Sequence, residues 1–209
     1  MKRVSLNLAL AAASMALSSA PAAAADFSFA GALSDPNQVQ LFNFVVGAPS
    51  TVTLRTYSYA GGTNAAGTVI SRGGFDPILA LFDSPGVKIN ENDDGGPNVP
   101  ADAVTGRHYD TYLQSLLAPG TYTVSVMAYS NFSAGPNLSD GFQGGGSFID
   151  VTGNQRTNAW AFDVLNVSSA VLSGVPEPST WAMMLIGFGA MGLAIRRGKR
   201  LPNLAAANV

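Results

Sequence analysis

The sequence predicts an all-β protein, an antiparallel two-sheet β-sandwich of about seven to nine strands, preceded by an N-terminal signal peptide and followed by a C-terminal single transmembrane helix. Three observations predict the sandwich. Of the 150 residues from 26 to 175, 19 are glycine, well above the ~7% of ordinary chains, so turns are frequent. Apolar residues in that body recur at period two in several short runs. No stretch of it sustains a helical period for three turns.

The runs come in order along the chain. Gln40 to Val46 places Phe42, Phe44 and Val46 on one face, and Thr51 to Tyr59 alternates Val52 and Leu54 with Thr53, Arg55 and Tyr57. Both patterns predict half-buried strands. Ile78 to Phe82 is apolar on both faces, as a central strand would be, with Pro77 at its start where a missing N–H donor is tolerated. Thr111 to Leu117, Thr121 to Tyr129 and Asn158 to Val167 supply three more. Ser84-Pro85-Gly86-Val87 and Ala118-Pro119-Gly120-Thr121 carry Pro and Gly at the two central positions, which predicts type II turns. Gly61 to Gly74 and Asn131 to Asn158 hold few apolar residues and read as long surface loops.

The ends differ from the body. Lys2-Arg3, an apolar run from Val4 to Leu17 and the small residues up to Ala25 have the three parts of a secretory signal. Cleavage after Ala25 by signal peptidase, following passage through the Sec machinery, makes 1–25 a signal peptide. The body domain is then 26–174. From Ser179 to Ile195 the chain is uncharged for 17 residues, about 25 Å as a helix and the lower limit for a membrane span. Two prolines around Glu177 keep the approach extended, Trp181 suits the membrane interface, and Arg196-Arg197-Gly198-Lys199-Arg200 holds the far end in the cytoplasm. Residues 201–209 then form a cytoplasmic extension. Gly187-Phe188-Gly189-Ala190-Met191-Gly192 matches the dinucleotide fingerprint in its letters, but no strand precedes it and a basic cluster follows. Close approach of membrane helices is the better reading.

Pro176-Glu177-Pro178, Trp181, the short glycine-rich span and the basic cluster that begins at Arg196 and Arg197 together resemble the PEP-CTERM sorting tail of Gram-negative bacteria, over residues 175–200. The resemblance implies an exosortase, an integral-membrane cysteine peptidase or transpeptidase, as partner. It also implies transient residence in the inner membrane before release to the cell surface or extracellular matrix, in a setting associated with exopolysaccharide.

Composition excludes much chemistry. There is no cysteine, so no disulfide, thiolate nucleophile or thiolate-bound zinc, and His108 stands alone, which rules out sites needing two histidines. Six of the 11 bases sit at the extreme ends. The body keeps 12 acids against five bases, a net charge of −7 that repels nucleic acid. Asn90-x-Asn92-x-Asp94-Gly95 satisfies the first half of a calcium loop, with oxygens at alternate positions ahead of a turning glycine, but Ala101 stands where the closing bidentate glutamate belongs. That excludes an EF-hand. It leaves two readings, a looser calcium site on Asn90, Asn92, Asp93 and Asp94 completed by Asp83, Asp102 or Asp110, and an Asx-rich turn. No cofactor is otherwise required. His108 lies two residues before Asp110, and Glu91 beside Asp93 offers a carboxylate pair, yet no nucleophile elbow is present, so the expectation is a protein that is not an enzyme.

Phe75-Asp76-Pro77-x-Leu79-x-Leu81-Phe82-Asp83, Asn92-Asp93-Asp94, Asp110-x-Tyr112-Leu113 and Leu117-Ala118-Pro119-Gly120-Thr121-Tyr122 resemble, in that order, bacterial pre-peptidase C-terminal domains and a family of secreted PEP-CTERM-tailed proteins sharing the Phe-Asp-Pro motif. The resemblance implies a β-sandwich accessory or surface module without defined catalytic activity, and some domains of this kind bind calcium. A carbohydrate-binding module is the alternative function, argued from the many tyrosines and phenylalanines, and a cryptic hydrolase is the second.

Overall fold

The computed structural model describes residues 23–173. The chain is all-β there, with 11 strands and two short 3-10 turns and no α-helix among the described residues. A four-stranded antiparallel sheet has the order β1 (Ala25–Ala32), β10 (Ala159–Val167), β3 (Ser50–Thr56), β8 (Tyr112–Leu117). Against it lies a five-stranded antiparallel sheet in the order β11 (Ser169–Leu172), β2 (Gln40–Val46), β9 (Gly120–Ala128), β6 (Pro77–Phe82), β7 (Lys88–Asn92). A two-residue ribbon, β4 (Gly62–Thr63) with β5 (Val69–Ile70), completes the set. The nine strands of the two large sheets agree with the predicted count. The proposed span 179–195 lies outside the described residues, and no helix among those described is long and apolar enough to cross a membrane.

The period-two patterns form the core between the sheets. Phe42, Phe44 and Val46 of β2 are at most 2% exposed and face Val52 and Leu54 of β3 and Trp160, Phe162 and Val164 of β10 in one apolar cluster. Fully burying each such side chain contributes about 1.5–3 kcal/mol. Phe42 meets Trp160 edge-on at 5.5 Å and Phe162 at 5.1 Å, the tilted and T-shaped geometries that aromatic quadrupoles favour.

β6 is buried at all six positions because both of its faces are covered. Leu79 and Leu81 enter the main core. Ile78, Ala80 and Phe82, with Met127 of β9, form a second cluster roofed by Tyr129, Phe132, Leu138 and Phe142. The segment 131–158 is therefore not simply a surface loop: its few apolar residues cover the outer face of the five-stranded sheet. Residues 61–74 likewise carry the β4–β5 ribbon, and Ala65 N–H donates to the buried Asp163 of β10 at 2.8 Å.

The two turns differ from expectation. Gly86 does take a left-handed φ of +90°, but the closing bond runs from Gly86 N–H to Asp83 O at 2.9 Å, so the turn sits one residue earlier and places Gly86 fourth. Gly120 is not left-handed; it already pairs with Val46 as the first residue of β9. The Tyr122 hydroxyl donates to Ala118 O at 2.8 Å, occupying the carbonyl that a type II turn would have used.

The antiparallel register puts the start of β6 and the end of β7 side by side, with Leu79 opposite Asn92. β7 and β8 are edge strands of opposite sheets and meet along one flank, where Asn92 Nδ2 donates to Tyr112 O at 2.7 Å. Three acidic positions, Asp76, Asp93 and Asp110, flank these strand ends.

Candidate metal centre

Asp76 stands immediately before Pro77, and Asp93 and Asp94 follow the last residue of β7. Their ligand atoms all lie within 4.8 Å of one another. The three grade from inside to outside: Asp76 is 5% exposed, Asp93 half-buried, and Asp94 open to solvent. The Thr111 hydroxyl holds the two strand ends together, on Asp93 O at 2.6 Å and on Pro77 O. Tyr129 N–H donates to Asp76 O at 2.8 Å and fixes the backbone from the other side. Gly95 ends the cluster; its N–H donates to Asp110 O at 2.7 Å, and a Cβ there would meet that same oxygen at 2.8 Å.

The electrostatics are unbalanced. Every described ion pair involves Asp102, Asp150 or Glu91, and none involves this trio. One oxygen of Asp76 and one of Asp93 are buried without a hydrogen-bond partner among the described residues. Burial, reinforced by the charges of Asp93, Asp94 and Asp110, pushes the Asp76 carboxyl up to about 9. Burial and the neighbouring Asp94 push Asp93 up to about 7, and burial raises Asp94. Such a site relieves its repulsion either by holding protons or by holding a cation. Hard oxygen donors of this kind suit calcium or magnesium.

The sequence placed calcium on four residues, and only two of them are here. β7 continues through Asn92, so Asn90 and Asn92 sit along one face of an extended strand that ends before Asp94, and the N-x-N-x-D-G segment does not wrap one point. Asn90 Oδ1 accepts from Glu91 N–H at 2.9 Å, and Asn92 Nδ2 donates to the β8 backbone. Asp76 takes their place, and the sequence signal for it was the Phe-Asp-Pro motif. Among the suggested completing residues, Asp83 accepts from Val87 N–H in its turn and Asp102 pairs with Arg72. Asp110 is buried, which raises its carboxyl despite bonds from Ala60 N–H at 2.7 Å, Tyr59 N–H at 3.0 Å and the Thr56 hydroxyl at 3.0 Å.

The catalytic pairings considered above are not assembled. His108 is exposed with Nδ1 on Val99 O at 2.7 Å, while Asp110 is occupied as described. Glu91 is held by Lys88 Nζ at 2.8 Å and by Ser133 N–H and Oγ at 2.8 Å each, turned to a different set of partners from Asp93. At the N-terminus, Ala25 opens β1 opposite Val167, so a cut after it leaves Asp26 as first residue, its carboxylate accepting from Asn166 N–H at 2.9 Å.

Comparison with known families decides the other end of the chain. Residues 174–200 match the PEP-CTERM protein-sorting motif. The matched stretch includes Pro176, Glu177, Pro178, Trp181, Arg196 and Arg197, all outside the described residues, and begins one residue after the last described position. The sorting motif marks a secreted protein targeted to an exosortase, with a membrane-anchored tail on the way to the surface. No curated protein matches the chain.

Proposed function

We propose that this chain is an exported, non-enzymatic β-sandwich, freed from its tail by an exosortase and retained at the cell surface or in the extracellular matrix in association with exopolysaccharide. The observation that carries this reading is the sorting motif at 174–200. The sandwich is the cargo, of the pre-peptidase C-terminal kind suggested by Phe75-Asp76-Pro77, and its acidic surface charge keeps it clear of nucleic acid. Export uses the Sec machinery, with signal peptidase cutting after Ala25, and a single span at 179–195 holds the precursor in the inner membrane. Intact-mass analysis of the protein recovered from the cell surface tests the reading. The expected mass lacks both 1–25 and the segment carrying Arg196 and Arg197; a mature population that keeps the basic cluster throughout overturns it.

Calcium is part of this proposal, at Asp76, Asp93 and Asp94 in place of the asparagines. A divalent ion there would draw on two orphaned oxygens and neutralise a carboxylate cluster without a basic partner. Its role is to fasten the end of β7 to the start of β6. Affinity in the range of about 0.1 to 1 mM is typical of extracellular modules.

A further inference from the structure

A second polar centre, apart from the carboxylate trio, joins the segment before β8, the segment before β10 and the residues just after β3 and β5. Asp102 and Asp150 are wholly buried side chains there. Asp102 accepts from Arg72 Nε at 2.7 Å and Nη2 at 2.9 Å, and from Thr105 N–H at 2.8 Å, its hydroxyl at 3.0 Å and Val104 N–H at 3.1 Å. Asp150 accepts from the Tyr59 hydroxyl at 2.9 Å, Arg156 Nε at 2.8 Å, Thr152 and Asn154. Both carboxylates are saturated with donors.

The guanidinium of Arg156 is not saturated. Its side chain is 4% exposed, its Cζ lies 3.6 Å from the centre of the Tyr59 ring, and Nε is spent on Asp150. Nη1 is a loose 3.6 Å from Asp102, and Nη2 is buried with no partner among the described residues. An orphaned buried donor on a charged group is unfavourable unless an acceptor is supplied. Arg156 lines a cavity of about 180 Å³ together with Arg72, Thr105, Asn154 and Gln155. Arg72 is 39% exposed at its rim and uses two of its five N–H groups on Asp102. The amide nitrogens of Asn154 and Gln155 are engaged with Thr152, Phe148 and Arg156, while no described residue donates to their side-chain oxygens. The lining of the cavity thus brings together two arginines and two side-chain amides whose oxygens no described residue engages.

We propose that this cavity binds one hexuronate unit of an acidic polysaccharide. The carboxylate sits on Arg156 and Arg72, and the ring hydroxyls donate to Asn154 Oδ1 and Gln155 Oε1. Guanidinium geometry matches a carboxylate bidentately. The acceptors favour a hydroxylated sugar over an inorganic anion, which has no proton to give them. A volume of about 180 Å³ is of the order of a single sugar ring. Aromatic stacking is not part of this site, because no aromatic side chain lines the cavity. The proposal rests on the surface reading only for the source of the polymer.

The test titrates the purified full chain with an oligogalacturonate, a neutral gluco-oligosaccharide of equal length, and sulfate, by calorimetry at fixed salt. The expected result is saturable binding of the acidic oligomer alone. Binding should weaken about tenfold or more in Arg72→Ala and in Gln155→Ala, with partial retention in Arg72→Lys. Melting curves of the three variants show that the fold is kept; Gln155→Ala lies outside the carboxylate network and keeps the test valid if the arginine variants are destabilised. Equal binding of the neutral oligomer, sulfate binding as tightly as the uronate, no binding at all, or affinity unchanged in Gln155→Ala and Arg72→Ala each overturns the proposal. None of these outcomes touches tail processing, which the mass measurement decides separately.

Discussion

The carboxyl groups of Asp76 and Asp93 approach within 4.8 Å across the open ends of β6 and β7, and each keeps a buried oxygen that no described residue satisfies. Neither has a basic neighbour in an ion pair, although five bases serve the body. A fold that pairs Asp102, Asp150 and Glu91 with arginine or lysine leaves this trio bare. The first prediction follows from that contrast. Calcium at ten times its dissociation constant should raise stability by about 1.4 kcal/mol through linkage, a midpoint shift of about 3–6 °C for a domain of this size. Melts of the full chain in EGTA and in millimolar calcium measure it. Asp76→Asn should abolish the shift and Asn90→Ala should leave it intact; the reverse order would restore the loop-based site.

Without a cation the same cluster should make stability fall as pH rises. The folded-state values of Asp76, about 9, and Asp93, about 7, lie above the ordinary 3.8. Below about 4 these two carboxyls are protonated in both states and their own contribution to stability is complete. Between 4 and 9 the unfolded chain has released protons that the folded one retains, so stability declines with each step in pH. Chemical denaturation of the EGTA-treated protein from pH 5 to 9 should show this decline, first through Asp93 and then through Asp76. Calcium should flatten it, because the ion replaces the protons. A flat profile without calcium would mean that the carboxylates find counter-charges elsewhere.

The core carries most of the stability, and two strands allow a direct comparison. Phe162 is fully buried against Phe42, whereas Leu116 on the edge strand β8 is 78% exposed. Phe162→Ala should cost about 3–5 kcal/mol in a urea titration, from lost transfer energy and the cavity left behind. Leu116→Ala should stay within about 0.5 kcal/mol of the parent. Comparable losses at both sites would place Leu116 in an interface.

Much of this architecture was legible because burial writes itself at period two. Gln40–Val46 could be read to the residue, and the uniformly apolar Ile78–Phe82 announced a strand covered on both faces. β7 was not legible: Lys88-Ile89-Asn90-Glu91-Asn92 has one apolar residue and owes its strand to backbone pairing with β6. β1 escaped notice because Ala25–Ala32 is mostly small residues abutting the signal segment, and β4 and β5 are too short to carry a period. The site suffered for the same reason. Reading Asn90 to Asp94 as a loop gathered the wrong neighbours, since Asp76 joins Asp93 only through the β6–β7 register. The buried acids Asp102 and Asp150 were invisible because their partners, Arg72 and Arg156, are distant or unremarkable in sequence.

Those two buried acids give the last prediction, on the acid side. Burial alone would raise Asp102, but the Thr105 N–H, the Arg72 guanidinium, the Thr105 hydroxyl and the Val104 N–H outweigh it and hold the carboxyl at about 2. Asp150 is held well below the usual carboxylate range in the same way, against its own burial, by Thr152, Arg156, Asn154 and Tyr59. With folded values depressed, the contribution is complete above the unfolded value of 3.8 and is lost as pH falls through about 2. Acid unfolding monitored by tyrosine and tryptophan fluorescence should therefore begin below pH 4 and steepen toward pH 2. Asp150→Asn should start it at higher pH and cost about 3–5 kcal/mol at pH 6, because the buried Arg156 charge then loses its closest partner. Asp150→Asn with Arg156→Met, which removes both charges together, should recover a large part of that loss; if the double variant is no more stable than the single one, hydrogen bonding from Thr152 and Asn154, and not the ion pair, is what Asp150 contributes.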